Sequence, residues 1–148
     1  MKNFLRFLIL TLLISACQTY SEQEKEGFDK TIKYYLKKNH LSLQKTSSGL
    51  YKKHITTGND RIIRYADSIR ISYEGKLLNG TIFDKQTTPQ TLAVRDLIAG
   101  WKEVLLGARK GDEWMIIIPP QLGYGQNKLD DIPVNSILIF KMKIVDVK

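Results

Sequence analysis

A turn signal at Asn79-Gly80 constrains the fold of this chain more than any other feature of the sequence. An Asn-Gly pair favours the tight turn that joins two antiparallel strands. Before it, the apolar side chains of Ile69, Ile71 and Tyr73 alternate with polar ones, which is typical of a strand with one buried face. After it, Thr81-Ile82-Phe83 continues as a return strand. The segment therefore predicts a β-hairpin, and with it an antiparallel sheet.

Strands are also predicted at three other places, over 50–55, 114–118 and 137–147. Pro119-Pro120 ends the second of these, because proline cannot donate a hydrogen bond to a strand ladder. One face of the last strand is predicted to carry Leu138, Phe140, Met142 and Ile144. Many strands and few helices indicate an α+β domain with a mostly antiparallel sheet.

Two helices are predicted. The first covers 21–40, where apolar residues recur at helical spacing and Ser21 with Glu24 fits a capping box. The second is a short central helix over 97–106, for which Asp96 is the predicted N-cap.

The N-terminus has the features of an export signal. Lys2 and Arg6 precede an apolar run over 7–14, which is too short to span a bilayer. The run ends in Ile14-Ser15-Ala16-Cys17, which resembles a bacterial lipobox. The resemblance implies that residues 1–16 are a lipoprotein signal peptide and that Cys17 is lipidated. An ordinary cleavage site beside an unrelated cysteine is the alternative.

This interpretation predicts a location at the cell envelope, lipid-anchored to a bacterial membrane on its periplasmic or surface side. Cys17 is the only cysteine, so no internal disulfide can form. The net charge of +8 could suit nucleic acid, but export argues against that partner. His40 and His54 lie far from the cysteine, and no metal and no cofactor are expected.

Three segments concentrate aromatic residues without any nucleophile–base pair. They are Tyr73 to Asp84, Ile98-Ala99-Gly100-Trp101 and Pro119 to Gly125, with Phe140 further on. In order and spacing they resemble the signature of FKBP-type peptidyl-prolyl isomerases. The lead-in Gln44 to Tyr51 is similar to the macrophage-infectivity-potentiator branch of that family.

The resemblance implies a twisted antiparallel sheet wrapped around the short helix, preceded by one N-terminal helix. Residues 17–46 would form the lipidated tether and that helix, and residues 47–148 the isomerase domain. The branch dimerises through N-terminal helices. Only one helix precedes the domain here, so the resemblance leaves open a monomer or a weak dimer.

The resemblance also implies a pocket between sheet and helix, with no cofactor. Trp101 would form its floor, and Asp84 at the rim would bond the Tyr73 hydroxyl. The Tyr124 hydroxyl and the Ile98 backbone N–H would bind substrate carbonyls. Asp84, Tyr124 and Trp101 are the implied catalytic residues, and the implied substrate-binding residues are Tyr73, Phe83, Leu97, Ile98, Ile132 and Phe140.

Two positions depart from the family pattern. Gln90 stands where an aromatic wall residue is usual, in a predicted loop about two residues short, and Asp131 replaces an aliphatic residue. A more polar pocket mouth and weaker macrolide binding are therefore expected. Two functions fit: an isomerase that helps exported, proline-containing polypeptides to fold, and a non-catalytic lipoprotein that binds a peptide or a partner.

Overall fold

The computed structural model describes residues 19–148. Cys17 and the predicted signal peptide lie outside this range. Within it, no helix has the length and apolar character needed to cross a membrane. The elements are α1 (Glu22–Lys38), β1 (Gln44–Lys45), β2 (Tyr51–Thr56), β3 (Ser68–Leu77), β4 (Ile82–Ala93), α2 (Ala99–Leu105), β5 (Glu113–Ile118) and β6 (Leu138–Val147), with 3-10 turns at Val94–Asp96 and Pro120–Leu122.

The strands form one six-stranded sheet in the order β1-β2-β5-β6-β3-β4, and every neighbouring pair is antiparallel. This confirms the predicted α+β class. The hairpin is confirmed as well, since β3 and β4 pair on either side of the turn. Gly80 has a positive φ of 91°, a conformation that glycine adopts without steric cost.

Strand β4 is longer than the sequence predicts. Gln90 pairs with Ile71 inside it, so the predicted loop at this position is wrong. The strand accommodates Pro89 because residues 87–89 form a bulge opposite the single residue Ser72. β4 is also the edge of the sheet, where a missing N–H breaks no ladder bond.

The two faces of the sheet have separate cores. One face packs on α2, and it carries the alternate β6 side chains Leu138, Phe140, Met142 and Ile144, as predicted. The other face packs on α1, where Ile32 (0% exposed) and Leu36 contact a smaller cluster. That cluster adds Tyr51, Ile117, Ile137 and Ile139.

Helix α1 begins with the predicted capping box. The Ser21 N–H donates to Glu24 Oε2 at 2.8 Å, and the Glu24 N–H donates to Ser21 Oγ at 3.3 Å. The predicted boundary between residues 46 and 47 falls between β1 and β2, two strands of the same sheet. Helix and sheet therefore share one packed unit.

Helix α2 begins later than predicted, and Asp96 is not its cap. Asp96 lies in the 3-10 turn Val94–Asp96, and Ile98 is the N-cap without a side-chain hydrogen bond. The 3-10 turn joins β4 to the residues that lead into α2. Gly100 brings α2 against β5, since a Cβ at this position would lie 2.7 Å from Ile118 Cγ2.

Candidate active site

Four aromatic rings from four elements meet on the α2 face. Tyr73 comes from β3, Phe83 from β4, Trp101 from α2 and Phe140 from β6. Phe140 packs edge-to-face on Phe83 and Trp101, at centroid distances of 5.5 and 5.1 Å, and Tyr73 packs on Trp101 at 5.0 Å. Such edge-to-face pairs add to the stabilisation from burial. The rings therefore form a rigid wall and floor.

A missing side chain at Gly75 makes room for this cluster. A Cβ there would lie 2.6 Å from Phe140 Cε1 and 2.8 Å from Phe83 Cε2. Real Cβ atoms do not approach ring carbons so closely. Gly75 is thus the position where two site rings pack onto bare backbone, which accounts for the glycine in the Tyr73-Glu74-Gly75 motif.

The rings enclose one side of a cavity of about 270 Å³. Every pocket residue predicted from the sequence lines it except Ile132. Trp101 is only 4% exposed and lies at its base, as predicted. The lining residues are Tyr73, Phe83, Asp84, Leu92, Asp96, Leu97, Ile98, Trp101, Tyr124 and Phe140.

Three predicted positions lie off the cavity lining. Ile132 is buried in the core of the α2 face. Gln90 and Asp131 are exposed, and neither lines the cavity. The expectation of a mouth made polar by these two residues is therefore not supported.

Leu92 and Asp96 also line the cavity, and neither was predicted as a site residue. Leu92 lies in β4, where it pairs with Ile69 of β3, and it lines the cavity. It therefore supplies an apolar wall where Gln90 was expected to leave a gap. The signal that could have found it is the period of a strand continued through Pro89. The 3-10 turn Val94–Asp96 places Asp96 at the rim of the cavity.

Asp84 and Tyr73 are bonded as predicted. The Tyr73 hydroxyl donates to Asp84 Oδ2 at 2.6 Å, and Gln86 Nε2 donates to Asp84 Oδ1 at 3.4 Å. Burial, and then the hydrogen bond to Asp84, raise the pKa of Tyr73 well above its ordinary value. Tyr73 therefore remains a protonated donor at physiological pH and holds the carboxylate in place.

Three other donors at the cavity have no acceptor among residues 19–148. The Ile98 backbone N–H, which precedes α2, has none, and neither does the Tyr124 hydroxyl. The indole Nε1 of Trp101 is buried and also lacks a partner. Burial, and then the charge of Asp84, raise the pKa of Tyr124, so its hydroxyl stays protonated. Tyr124 and Ile98 are only partly buried and line the cavity, so the Tyr124 hydroxyl and the Ile98 N–H are suited to the carbonyl oxygens of a ligand.

The site offers shape and hydrogen-bond donors. Within residues 19–148, no three His, Cys, Asp or Glu side chains are grouped as a metal site requires. An aromatic cavity with donors at its edge can bind a compact apolar ring between two carbonyl groups. A proline ring flanked by its peptide carbonyls has this form.

Comparison with known proteins identifies the class of this fold and site. Residues 59–145 match the family of the FKBP-type peptidyl-prolyl cis-trans isomerases. The chain belongs to this family, as its motifs predicted.

Individual relatives agree. The chain is 41% identical over 135 residues to the FKBP-type peptidyl-prolyl cis-trans isomerase FkpA of Buchnera aphidicola subsp. Schizaphis graminum, covering 87% of this chain and 53% of that protein. It is 36% identical over 115 residues to the peptidyl-prolyl cis-trans isomerase Mip of Coxiella burnetii, covering 75% and 50%. The crystal structure of FkpA from Escherichia coli matches with a TM-score of 0.74 at 29% identity, covering 86% of this chain and 62% of that one. The chain spans about half the length of the curated relatives it matches.

Proposed function

We propose that this protein is a peptidyl-prolyl cis-trans isomerase that acts on proline-containing polypeptides. The observation that carries the proposal is the aromatic cavity over Trp101, edged by the Tyr124 hydroxyl and the Ile98 N–H, which have no acceptor among residues 19–148. Membership of the family supports it.

The chemistry requires no proton transfer. Rotation about an X–Pro amide has a barrier of ~18–20 kcal/mol because the C–N bond has partial double-bond character. The twisted transition state loses this resonance and much of the polarity of the planar amide. A cavity that excludes water stabilises the twisted form relative to the planar, solvated one. The enclosed aromatic lining provides such a cavity.

Each lining residue has a proposed role in this rotation. The proline ring packs on the Trp101 indole, between Tyr73 and Phe140. The Ile98 N–H and the Tyr124 hydroxyl donate to carbonyls on either side of the rotating bond, which fixes the flanking chain. Asp84 holds the Tyr73 ring against Trp101 through their hydrogen bond. Positioning of this kind lowers the barrier to rotation without any proton transfer.

A protease-coupled assay tests the activity. The protease cleaves only the trans form of a short Xaa-Pro peptide, so the isomerase speeds the slow phase. We expect a rate above background that is lost in Trp101→Ala and kept in Asp131→Asn, a control that alters an exposed side chain off the cavity. Peptide binding without any acceleration would instead favour the non-catalytic binding lipoprotein.

We also propose that the protein works at the cell envelope, anchored by lipid on Cys17, where it assists exported polypeptides. The export features of the sequence support this. Mass spectrometry of the membrane-extracted protein should find an acylated N-terminal Cys17. Intact residues 1–16 on that protein would contradict the anchor.

Macrolides are further proposed ligands. Because Leu92 completes the wall and Gln90 lies outside the cavity, the structure does not support the weakened binding expected from the sequence. Titration with a macrolide, with Leu92→Ala for comparison, measures how much this wall contributes.

A further inference from the structure

Tyr20 precedes α1, yet it contacts the loop that follows the active-site residue Tyr124. Its ring is 7% exposed and packs edge-to-face on Phe28 at 5.3 Å. Its hydroxyl donates to Asn135 Oδ1 at 2.6 Å. The two residues are 115 positions apart, so this hydrogen bond fixes one end of the chain to a distant loop.

Asn135 continues the connection to Tyr124. The Asn135 N–H donates to the Gly125 carbonyl at 2.7 Å, and Gly125 directly follows Tyr124. A Cβ on Gly125 would lie 3.5 Å from the Tyr20 hydroxyl, so the phenol also abuts this backbone. A cavity of about 590 Å³ behind the loop is lined by both Tyr20 and Tyr124. Tyr20 thus forms part of the wall of the cavity that Tyr124 also lines.

We infer that Tyr20 is a positioning residue for the isomerase reaction, which holds the Tyr124 hydroxyl at the cavity through Asn135 and Gly125. The inference rests on the proposed isomerase function. It makes the segment before α1 a support of the substrate site, although that segment lies outside the matched residues 59–145. Among residues 19–148, the Tyr20 ring packs on Phe28 and on none of the four rings over α2.

A second tyrosine offers a matched control. The Tyr51 hydroxyl also joins the α1 region to the sheet, by donating to Asp29 Oδ1 at 2.7 Å. Its ring is buried in the core under α1, away from the loop of Tyr124. Tyr51→Phe and Tyr20→Phe each remove one phenolic hydrogen bond, but only the second bond leads to the active site.

The experiment measures kcat and KM on one Xaa-Pro peptide for Tyr20→Phe, Asn135→Gly and Tyr51→Phe. Asn135→Gly removes the side-chain acceptor and tolerates the positive φ of 60°. We expect Tyr20→Phe and Asn135→Gly each to lower kcat/KM about two- to tenfold, the effect of one hydrogen bond. In a Tyr124→Phe background we expect both changes to lose most of their effect, because coupled residues are not additive. Tyr51→Phe should leave the rate unchanged.

A second readout does not depend on activity. In protein with ring-labelled tyrosine, the NMR resonances of Tyr124 should shift in Tyr20→Phe and stay in place in Tyr51→Phe. Unchanged Tyr124 resonances, or an undiminished effect of Tyr20→Phe in the Tyr124→Phe background, would overturn the inference. A parent protein without isomerase activity would overturn the proposed function, and with it the catalytic role of Tyr20, even if the resonances shift.

Discussion

The two faces of the sheet are built for different purposes. The face under α1 is aliphatic, and its buried phenol Tyr51 is bonded to Asp29. The face under α2 is aromatic and carries a cavity, and the Trp101 indole N–H has no partner among residues 19–148. One sheet therefore carries a core with its phenol satisfied on one side and an incomplete one on the other. The aromatic cavity together with the Tyr124 hydroxyl and the Ile98 N–H, which find no acceptor in that range, distinguishes the binding face.

The largest effect is expected from Trp101→Ala, which removes one ring from the aromatic face. Truncating a large buried aromatic side chain costs ~3–5 kcal/mol of unfolding free energy. The change should also remove peptide binding, because the cavity loses its floor. Denaturant unfolding and ligand titration measure the two losses. Normal binding by a destabilised variant would show that the indole is only a core residue.

A comparable change under α1 should separate stability from activity. Ile32→Ala removes a fully buried side chain and is expected to cost ~2–5 kcal/mol. Measured well below the melting temperature, its isomerase rate should equal that of the parent. Tyr34→Ala, which truncates an exposed side chain of the same helix, is the control and should do little to either quantity. A lowered rate in Ile32→Ala would mean that the two faces are coupled through the sheet.

Two substitutions that each remove one hydroxyl group sharpen the comparison between the two faces of the sheet. Tyr51→Phe removes a satisfied hydrogen bond and should lower the unfolding free energy by ~0.5–1.5 kcal/mol. Tyr124→Phe removes a donor with no acceptor among residues 19–148, so stability should hardly change while peptide binding weakens. Melting curves and peptide titrations on both variants suffice. Equal destabilisation by the two changes would contradict the distinction between the faces.

Acid should weaken the α1 face through Asp29. Burial alone would raise the pKa of this carboxyl, but hydrogen bonds from Lys33, Lys45 and Tyr51 outweigh it and lower the pKa from 3.8 to about 2. The folded state therefore binds this proton more weakly than the unfolded state. The stabilisation is present in full above about pH 5 and is lost as the pH falls through 4 towards 2. Asp29→Asn should flatten this part of the stability curve, and an unchanged slope would exclude Asp29 as its source.

The smallest effect is expected for the isomerase rate against pH. Because no proton moves in the reaction, the rate on one Xaa-Pro peptide should stay nearly constant from about pH 6 to about pH 8. The raised pKa values of Tyr73 and Tyr124 keep both hydroxyls protonated over this range. A bell-shaped profile would reveal an ionising catalytic group.

Much of the fold could be predicted because local rules and tertiary packing agree. The Asn79-Gly80 turn, the Ser21–Glu24 capping box and the alternation in β6 are local signals, and each is confirmed. The predictions failed where packing overrides a local preference. A loop was expected around Gln90, but an edge strand whose bulge accommodates Pro89 runs through this position.

The residues of the site were predicted from motifs. The residues that were missed or misplaced also lie where packing overrides a local preference. Gln90 was expected at the cavity because the family resemblance places an aromatic wall residue there. Leu92 was missed because a loop, and not a continued strand, was expected around Pro89. The roles of Asp84, Tyr124 and Ile98 in binding substrate stay predictions that the variants above can test. The contact of Tyr20 with Asn135 could not be predicted, since no local rule pairs residues so far apart in sequence.

The bulge in β4 has a consequence for how this protein can handle unfolded chains. An extended polypeptide can add itself as a new strand to any open sheet edge. Here one edge is β1, which is two residues long, and the other is β4, interrupted at 87–89 beside a proline. Neither edge presents a long, regular row of free backbone groups. Under the proposed function, an extended polypeptide bound at the pocket would therefore find few backbone partners along the sheet edges.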